Sequence, residues 1–295
     1  MIYKYLTAVA CTFALSIALA FAQNSSSPSD SSLTVKSIDL EGISGIQAGD
    51  VFRIAYEQSD DCSVEWEVNS DLQDYVEIYA KGGILYFEFN RKGLPYELQK
   101  KYRQKDNKLV LNAIVSVPSL RSITVTDNVV LTSYEGSSVR ADSLTVTVSG
   151  NADYRDLAVN GSYVTVDASN KADVSIPVSA DEVVLISSNT ANLSASVNCK
   201  ALTVTGRNSS MLKAAGKAEK TTVNGQGREI DLLSLTVPEM EVILSNGCRA
   251  YVNAGTLLSL DLKGGSLASF SGDPAIEIVS IQNSSVQHFT GEKKK

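Results

Sequence analysis

The chain has 295 residues, 43% of them hydrophobic and 20% charged, which excludes a disordered protein and allows a large core in one or two domains. Its formal net charge of −7 argues against a nucleic-acid binder, which needs a basic surface to displace phosphate counterions.

Residues 1–22 read as a signal peptide. Lys4 supplies the positive start, Leu6 to Leu19 is mostly apolar, and Ala20-Phe21-Ala22 has the small-x-small form that predicts cleavage before Gln23. The apolar run is shorter than the ~20 residues of a membrane helix, and a lipid anchor on Cys11 would leave almost no apolar stretch before it. No later run is long and apolar enough to span a bilayer. The mature chain is therefore expected to be exported, to the periplasm, the cell surface or the medium, without a transmembrane span. Residues 23–32 are rich in Ser with one Pro and read as a flexible linker. Removing the leader leaves Cys62, Cys199 and Cys248, an odd number that argues for small buried side chains over a disulfide framework.

Residues 33–118 form an N-terminal β region, interrupted at 91–108 by a basic insertion. From about Ser119 to residue 291 the chain becomes periodic. Short alternating apolar runs each end in a small polar cluster, and alignment of the clusters puts Asp127, Gly150, Asn170, Asn189, Asn208, Gly227, Asn246, Gly264 and Asn283 at one position. The intervals are 23, 20, 19, 19, 19, 19, 18 and 19 residues. Gly, Asn and Asp are the residues that best tolerate φ > 0, so a backbone that bends sharply once per repeat explains the choice.

Four residues before each corner stands an aliphatic residue: Ile123, Val146, Val166, Leu185, Val204, Val223, Val242, Leu260 and Val279. This column is expected inside. Two residues after the corner come mostly small side chains, Ala152, Ala172, Ala191, Ser210, Cys248, Ser266 and Ser285, with Glu229 as the exception. Six residues after it, Ile176, Ala195, Ala214, Leu233, Val252, Phe270 and Phe289 predict a second inward run.

Period-2 strands repeated every nineteen residues leave no room for crossover helices. The fold class expected is all-β, a right-handed parallel β-helix with coils of about 19 residues. At ~4.8 Å per coil, nine coils make a rod on the order of 40 Å long. An antiparallel sandwich also has short strands, but it does not require corners in register over nine turns. The Lys293-Lys294-Lys295 stretch of the basic tail, 292–295, weighs against end-to-end stacking through an open final coil. The oligomeric state is left open.

The corners, as in Val148-Ser149-Gly150-Asn151-Ala152, Ser188-Asn189-Thr190 and Gln282-Asn283-Ser284-Ser285, resemble those of the auto-transporter adhesin head GIN domain family of exported Bacteroidetes proteins. Ile43-Ser44-Gly45-Ile46, Val51-Phe52-Arg53-Ile54, Asp71-Leu72-Gln73-Asp74-Tyr75-Val76, Gly82-Gly83-Ile84-Leu85-Tyr86-Phe87 and the late Gly272-Asp273-Pro274-Ala275-Ile276 fit in order and spacing. The resemblance spans roughly residues 36–291. Many corners carry Asn where the family prefers Gly, and the charged 91–108 segment is long. The resemblance implies an adhesive role at the cell envelope and supplies no catalytic or ligand-binding residues.

Candidate chemistry is sparse. Asp153 and Asp173 lie three residues after consecutive corners, and carboxylates ~5 Å apart suit acid and nucleophile in glycoside cleavage. The plainer alternative is a solvated polar ladder on an outer face. His288 is the only histidine and the cysteines have no zinc spacing, so no metal and no cofactor is expected. In the basic segment Lys100, Lys101 and Arg103 alternate with Tyr96 and Tyr102, a composition suited to acidic glycan. Its plainer reading is a solvated loop or short helix joining strands of the first coils. The function expected is a non-catalytic binding or adhesion protein that contacts extracellular glycan or a surface protein through a repetitive solenoid surface. The competing reading is a polysaccharide-degrading, pectinase- or lyase-like enzyme using Asp153 and Asp173.

Overall fold

The computed structural model describes residues 32–291. The predicted leader with Cys11, nearly all of the linker and the basic tail lie outside the described residues. The described chain is a parallel β-solenoid of about nine turns with coils of ~19 residues. Its strands, in chain order, are β1 (Leu33–Asp39), β2 (Gly45–Ala48), β3 (Arg53–Gln58), β4 (Ser63–Asn69), β5 (Val76–Lys81) and β6 (Ile84–Phe89). After a helix α1 (Tyr96–Lys101) come β7 (Leu111–Val117), β8 (Ser122–Val125), β9 (Val130–Ser133), β10 (Ser138–Val148), β11 (Asp153–Arg155), β12 (Ala158–Ala168) and β13 (Asp173–Ser187). β14 (Asn192–Ser245), β15 (Arg249–Lys263), β16 (Leu267–Ser271), β17 (Ala275–Gln282) and β18 (Ser285–His288) complete the stack.

The aliphatic column is real over most of its length. Ile123 lies beside Val146, Val146 beside Val166, Val166 beside Leu185, and Leu185 beside Val204, each in a parallel ladder. All are sealed from solvent, as are Val223, Val242 and Leu260. The column fails at Val279. Leu260 pairs with Ile278 and Asp261 with Ser280, so Val279 is the extra residue of a bulge and is 64% exposed.

Eight of the nine aligned corners have φ between 49° and 74°. The Asn corners also bond to one another: Asn189 Nδ2 donates to Asn170 Oδ1 (3.1 Å), and Asn208 Nδ2 donates to Asn189 Oδ1 (3.0 Å). Asn189→Ala should cost about 1–2 kcal/mol, since a Cβ-bearing residue without a local hydrogen bond is disfavoured at φ > 0. Asn189→Gly should change stability by less than about 0.5 kcal/mol. Urea unfolding midpoints of the two variants separate the conformational requirement from the ladder.

Gly227 is the exception, because its φ is not left-handed. It lies against the backbone of Asn208, where a Cβ would stand 2.0 Å from the carbonyl oxygen and 2.7 Å from the nitrogen. Close approach, not a positive φ, requires glycine there. This irregular turn also accounts for Glu229. Its Cα partner is Arg249, with Ile230 beside Ala250 and Leu232 beside Val252. Ile230 is therefore the buried residue of that bend, and Leu232, not the expected Leu233, is the inward residue of the second run. The slip is returned before Val242 meets Leu260, through register shifts between Leu232 and Glu239. Ser285 and Phe289, expected inside, belong to the last coil and are partly or fully exposed, and Phe270 in the coil before it is only partly buried.

The first coils are wound out of chain order. β2 lies between β6 and β8, and β3 between β7 and β9. The chain thus lays down β2–β3, runs to the end of the rod to form β6 and β7, then returns past β2 and β3 to form β8 and β9 on their other side. Antiparallel partners finish this end: β5 on β6, β4 on β7, and β1 on β4. Leu72, in a 3-10 turn at Ser70–Tyr75, is fully buried beneath them. Cys199 and Cys248 are buried and Cys62 is half-buried, all as free thiols. Burial pushes the Cys199 thiol up to about 11 and also raises that of Cys248.

Candidate binding surface

The 91–108 segment leaves the solenoid between β6 and β7 as a short helical excursion. Asn90 starts it, its Oδ1 accepting from the Gly93 N–H at 2.9 Å, and Pro95 opens α1. Leu94 is buried, while Leu98, Tyr102 and Leu109 pack partly buried against the core. Asn69 fixes the return: its Oδ1 accepts from Val110 N–H (2.7 Å), and its Nδ2 donates to Lys108 O (3.3 Å).

Of the five residues expected to bind, two hold the segment in place. Lys101 Nζ is 2.8 Å from Asp71 Oδ2, and Tyr102 Oη donates to Asp71 Oδ1 at 2.6 Å. The Lys101 ammonium also lies 5.2 Å from the Tyr102 ring centroid. Desolvation raises the Asp71 carboxyl, but the Lys101 and Tyr102 hydrogen bonds outweigh it and hold the carboxyl below its ordinary value. Desolvation and Asp71 together push the Tyr102 phenol well up. Tyr96, Lys100 and Arg103 project outward, Tyr96 with 70% of its surface exposed.

Residues that the sequence reading did not single out complete the picture. Arg91 lies 5.7 Å over the Phe89 ring, and its Nη2 is 2.7 Å from Asp50 Oδ1. A cavity of about 170 Å³ lies between the excursion and the end of β6, lined by Phe89, Arg91, Leu94, Gln99, Tyr102 and Arg103. Two aromatic residues and two arginines thus line one small space. The segment holds seven Lys or Arg residues against Glu97 and Asp106, on a chain whose net charge is −7.

Asp50 is itself a corner. Its φ is 65°, and it stands two residues beyond Ala48, the partner of Val125, as Asp127 stands two beyond Val125. The Asp50 N–H donates to Asp127 Oδ2 at 3.2 Å. Burial raises the Asp50 carboxyl most, Arg91 pulls it down, and Asp127 raises it further. The signal for this corner existed in the sequence, but the two corners lie 77 residues apart and fall outside the period.

Asp153 and Asp173 are indeed neighbours, Cα partners on β11 and β13, with Asn192 next in the column. Both oxygens of Asp153 accept from Arg155, Oδ1 from Nε at 2.6 Å and Oδ2 from Nη2. Asp173 is exposed on the outer face. Around it the same face repeats small polar groups, Ser175 beside Ser194 and Ser179 beside Asn198. Asp181 and Lys200 form an exposed ion pair at 2.7 Å on neighbouring coils. His288 lies elsewhere, its ring edge-on to Phe270 at 5.2 Å. Among the described residues no group of three His, Cys, Asp or Glu side chains could hold a metal ion, and no helix is long and apolar enough to cross a membrane.

The sequence matches the family described as "Putative auto-transporter adhesin, head GIN domain" over residues 43–183 and 162–274. No curated protein sequence matches. Among solved structures, the chain is similar to a putative adhesin from Parabacteroides distasonis, with TM-score 0.61 and 20% identity over 88% of this chain and 98% of that one. A putative adhesin from Parabacteroides merdae gives TM-score 0.59 and 18% identity over 90% and 99%. A putative lipid binding protein from Parabacteroides distasonis gives TM-score 0.58 and 15% identity over 88% and 98%. At these identities the likeness is one of fold.

Proposed function

The chain belongs to the auto-transporter adhesin head GIN domain family, and from that premise we propose that it is a non-catalytic adhesin of the cell envelope that grips anionic glycan with the basic excursion at its N-terminal end. The adhesin-like role follows from the family. The ligand class rests on one observation: Arg91 and Arg103 line the same 170 Å³ cavity as Phe89 and Tyr102.

A sugar ring presents an apolar face suited to an aromatic side chain, and a carboxylate or sulfate on that ring suits a guanidinium fork. Arg91 is already oriented by Asp50 and Phe89, so little of its side-chain freedom is lost when a ligand arrives. Exposed Lys100 and Tyr96 extend the contact beyond the cavity. Each exposed ionic contact is weak and screened by salt, so useful binding needs a polymer that engages several at once.

Polygalacturonate and a sulfated glycan should bind at low ionic strength, and dextran should not. The Lys100→Gln/Arg103→Gln variant, which spares the Asp71 clamp, should bind polygalacturonate at least about tenfold more weakly, a loss of about 1.4 kcal/mol. A Lys213→Gln/Lys217→Gln variant on the outer face of the coils should bind as the parent does. Unchanged affinity in the first variant, or equal loss in both, would remove the excursion from the binding surface.

A further inference from the structure

The two ends of the solenoid differ. The N-terminal end is closed by antiparallel strands and the buried Leu72. Its outermost strands carry charges, Lys36 and Asp39 on β1, Glu77 and Lys81 on β5, which discourage pairing with another chain. At the other end, among the described residues, β17 pairs with β15 alone. Leu258 and Leu260 on β15 are sealed, yet their partners Ile276 and Ile278 are 44% and 61% exposed. Ile281, beside buried Leu262, is 38% exposed. Core side chains therefore end in water along a strand whose single charge is Glu277.

We propose that β17 is an interface through which two copies of this chain join tail to tail in a closed two-fold dimer. A strand edge with unpaired backbone groups is best completed by another strand, and the edge of a second copy has matching chemistry. Antiparallel pairing of two β17 strands about a point between Ile278 and Val279 puts Ile276 opposite Ile281. Both belong to the inward column, since their β15 partners are Leu258 and Leu262. The same register puts Glu277 opposite Ser280, so the two Glu277 carboxylates stand about 10 Å apart along the ladder. No like charges meet, whereas a head-to-tail contact would bring β17 against the charged edges of β1 and β5. The pairing is closed and does not grow into a filament. It also leaves the two N-terminal ends at opposite tips of a rod on the order of 80 Å long.

Sedimentation velocity of the full chain across a concentration series tests this, together with hydrogen exchange at both extremes. The expected result is a monomer–dimer equilibrium, with β17 amides protected more at high concentration. Ile276→Lys/Ile278→Lys should weaken the dimer by at least about a hundredfold. Should that variant lose its fold, Val279→Lys decides the matter. Its side chain is already in water, so the coil survives and only the pairing suffers. A monomer at every concentration overturns the proposal. So does a dimer that Val279→Lys leaves unchanged. Protection of β17 that is independent of concentration also overturns it, and assigns the edge to a segment of the same chain.

Discussion

Leu185→Asp is expected to abolish the cooperative fold at 25 °C, while Val279→Asp, at the position that the sequence aligns with it, should shift stability by less than about 0.5 kcal/mol in dilute solution. Leu185 is stacked between Val166 and Val204 and is fully buried. A carboxylate there has no cation within the column and no water. Burying it unpaired costs several kcal/mol, and protonating it still leaves a buried polar group and a void. Leu185→Ala, which removes only volume, should cost about 2–5 kcal/mol. Because each coil leans on its two neighbours, the loss spreads to the ladders on either side. Urea unfolding followed by far-ultraviolet circular dichroism gives all three values. A folded Leu185→Asp protein would mean that the column is hydrated.

The second large effect is expected at a corner. Gly227→Asn should destabilise by about 3 kcal/mol or more, and Gly264→Asn, at the aligned position, by less than about 1 kcal/mol. Gly264 has φ of 66°, a conformation that Asn adopts at four other aligned corners and again at the last, and its nearest neighbour would lie 3.2 Å from a new Cβ. Gly227 has no such φ, and a Cβ there would stand 2.0 Å from the Asn208 carbonyl oxygen. That obstacle is backbone of the adjoining coil, which cannot rotate away as a side chain can. The coils must part, and their ladder hydrogen bonds go with them. Equal effects at the two sites would show that the corners are governed by conformation alone.

These contrasts mark how far the sequence could be read. The corner pattern found the turns, because a positive φ restricts residue choice locally and the restriction recurs every coil. It missed Asp50, whose companion Asp127 is distant in sequence, and it gave Gly227 the wrong reason for being glycine. The column was right from Ile123 to Leu260 and wrong at Val279, where a one-residue bulge turns a core position outward. In the basic excursion, composition marked out a basic segment, and the contacts within it became visible only in the fold. Lys101 and Tyr102 are engaged with Asp71, and Arg91 meets Asp50 because β6 is laid beside β2.

The amino-acid sequence by itself determined that the chain winds, where the periodic coils bend and which side chains form the aliphatic column from Ile123 to Leu260. Each of those features depends on contacts nineteen or so residues apart that repeat down the rod, so every coil reinforces the reading of the next. Tertiary structure alone decided the out-of-order first coils, the antiparallel closure of one end, the Arg91–Asp50 pair and the bare apolar edge of the other end. Those features rest on pairings made once, between segments brought together by the path of the chain, and a contact made once leaves no period to be found.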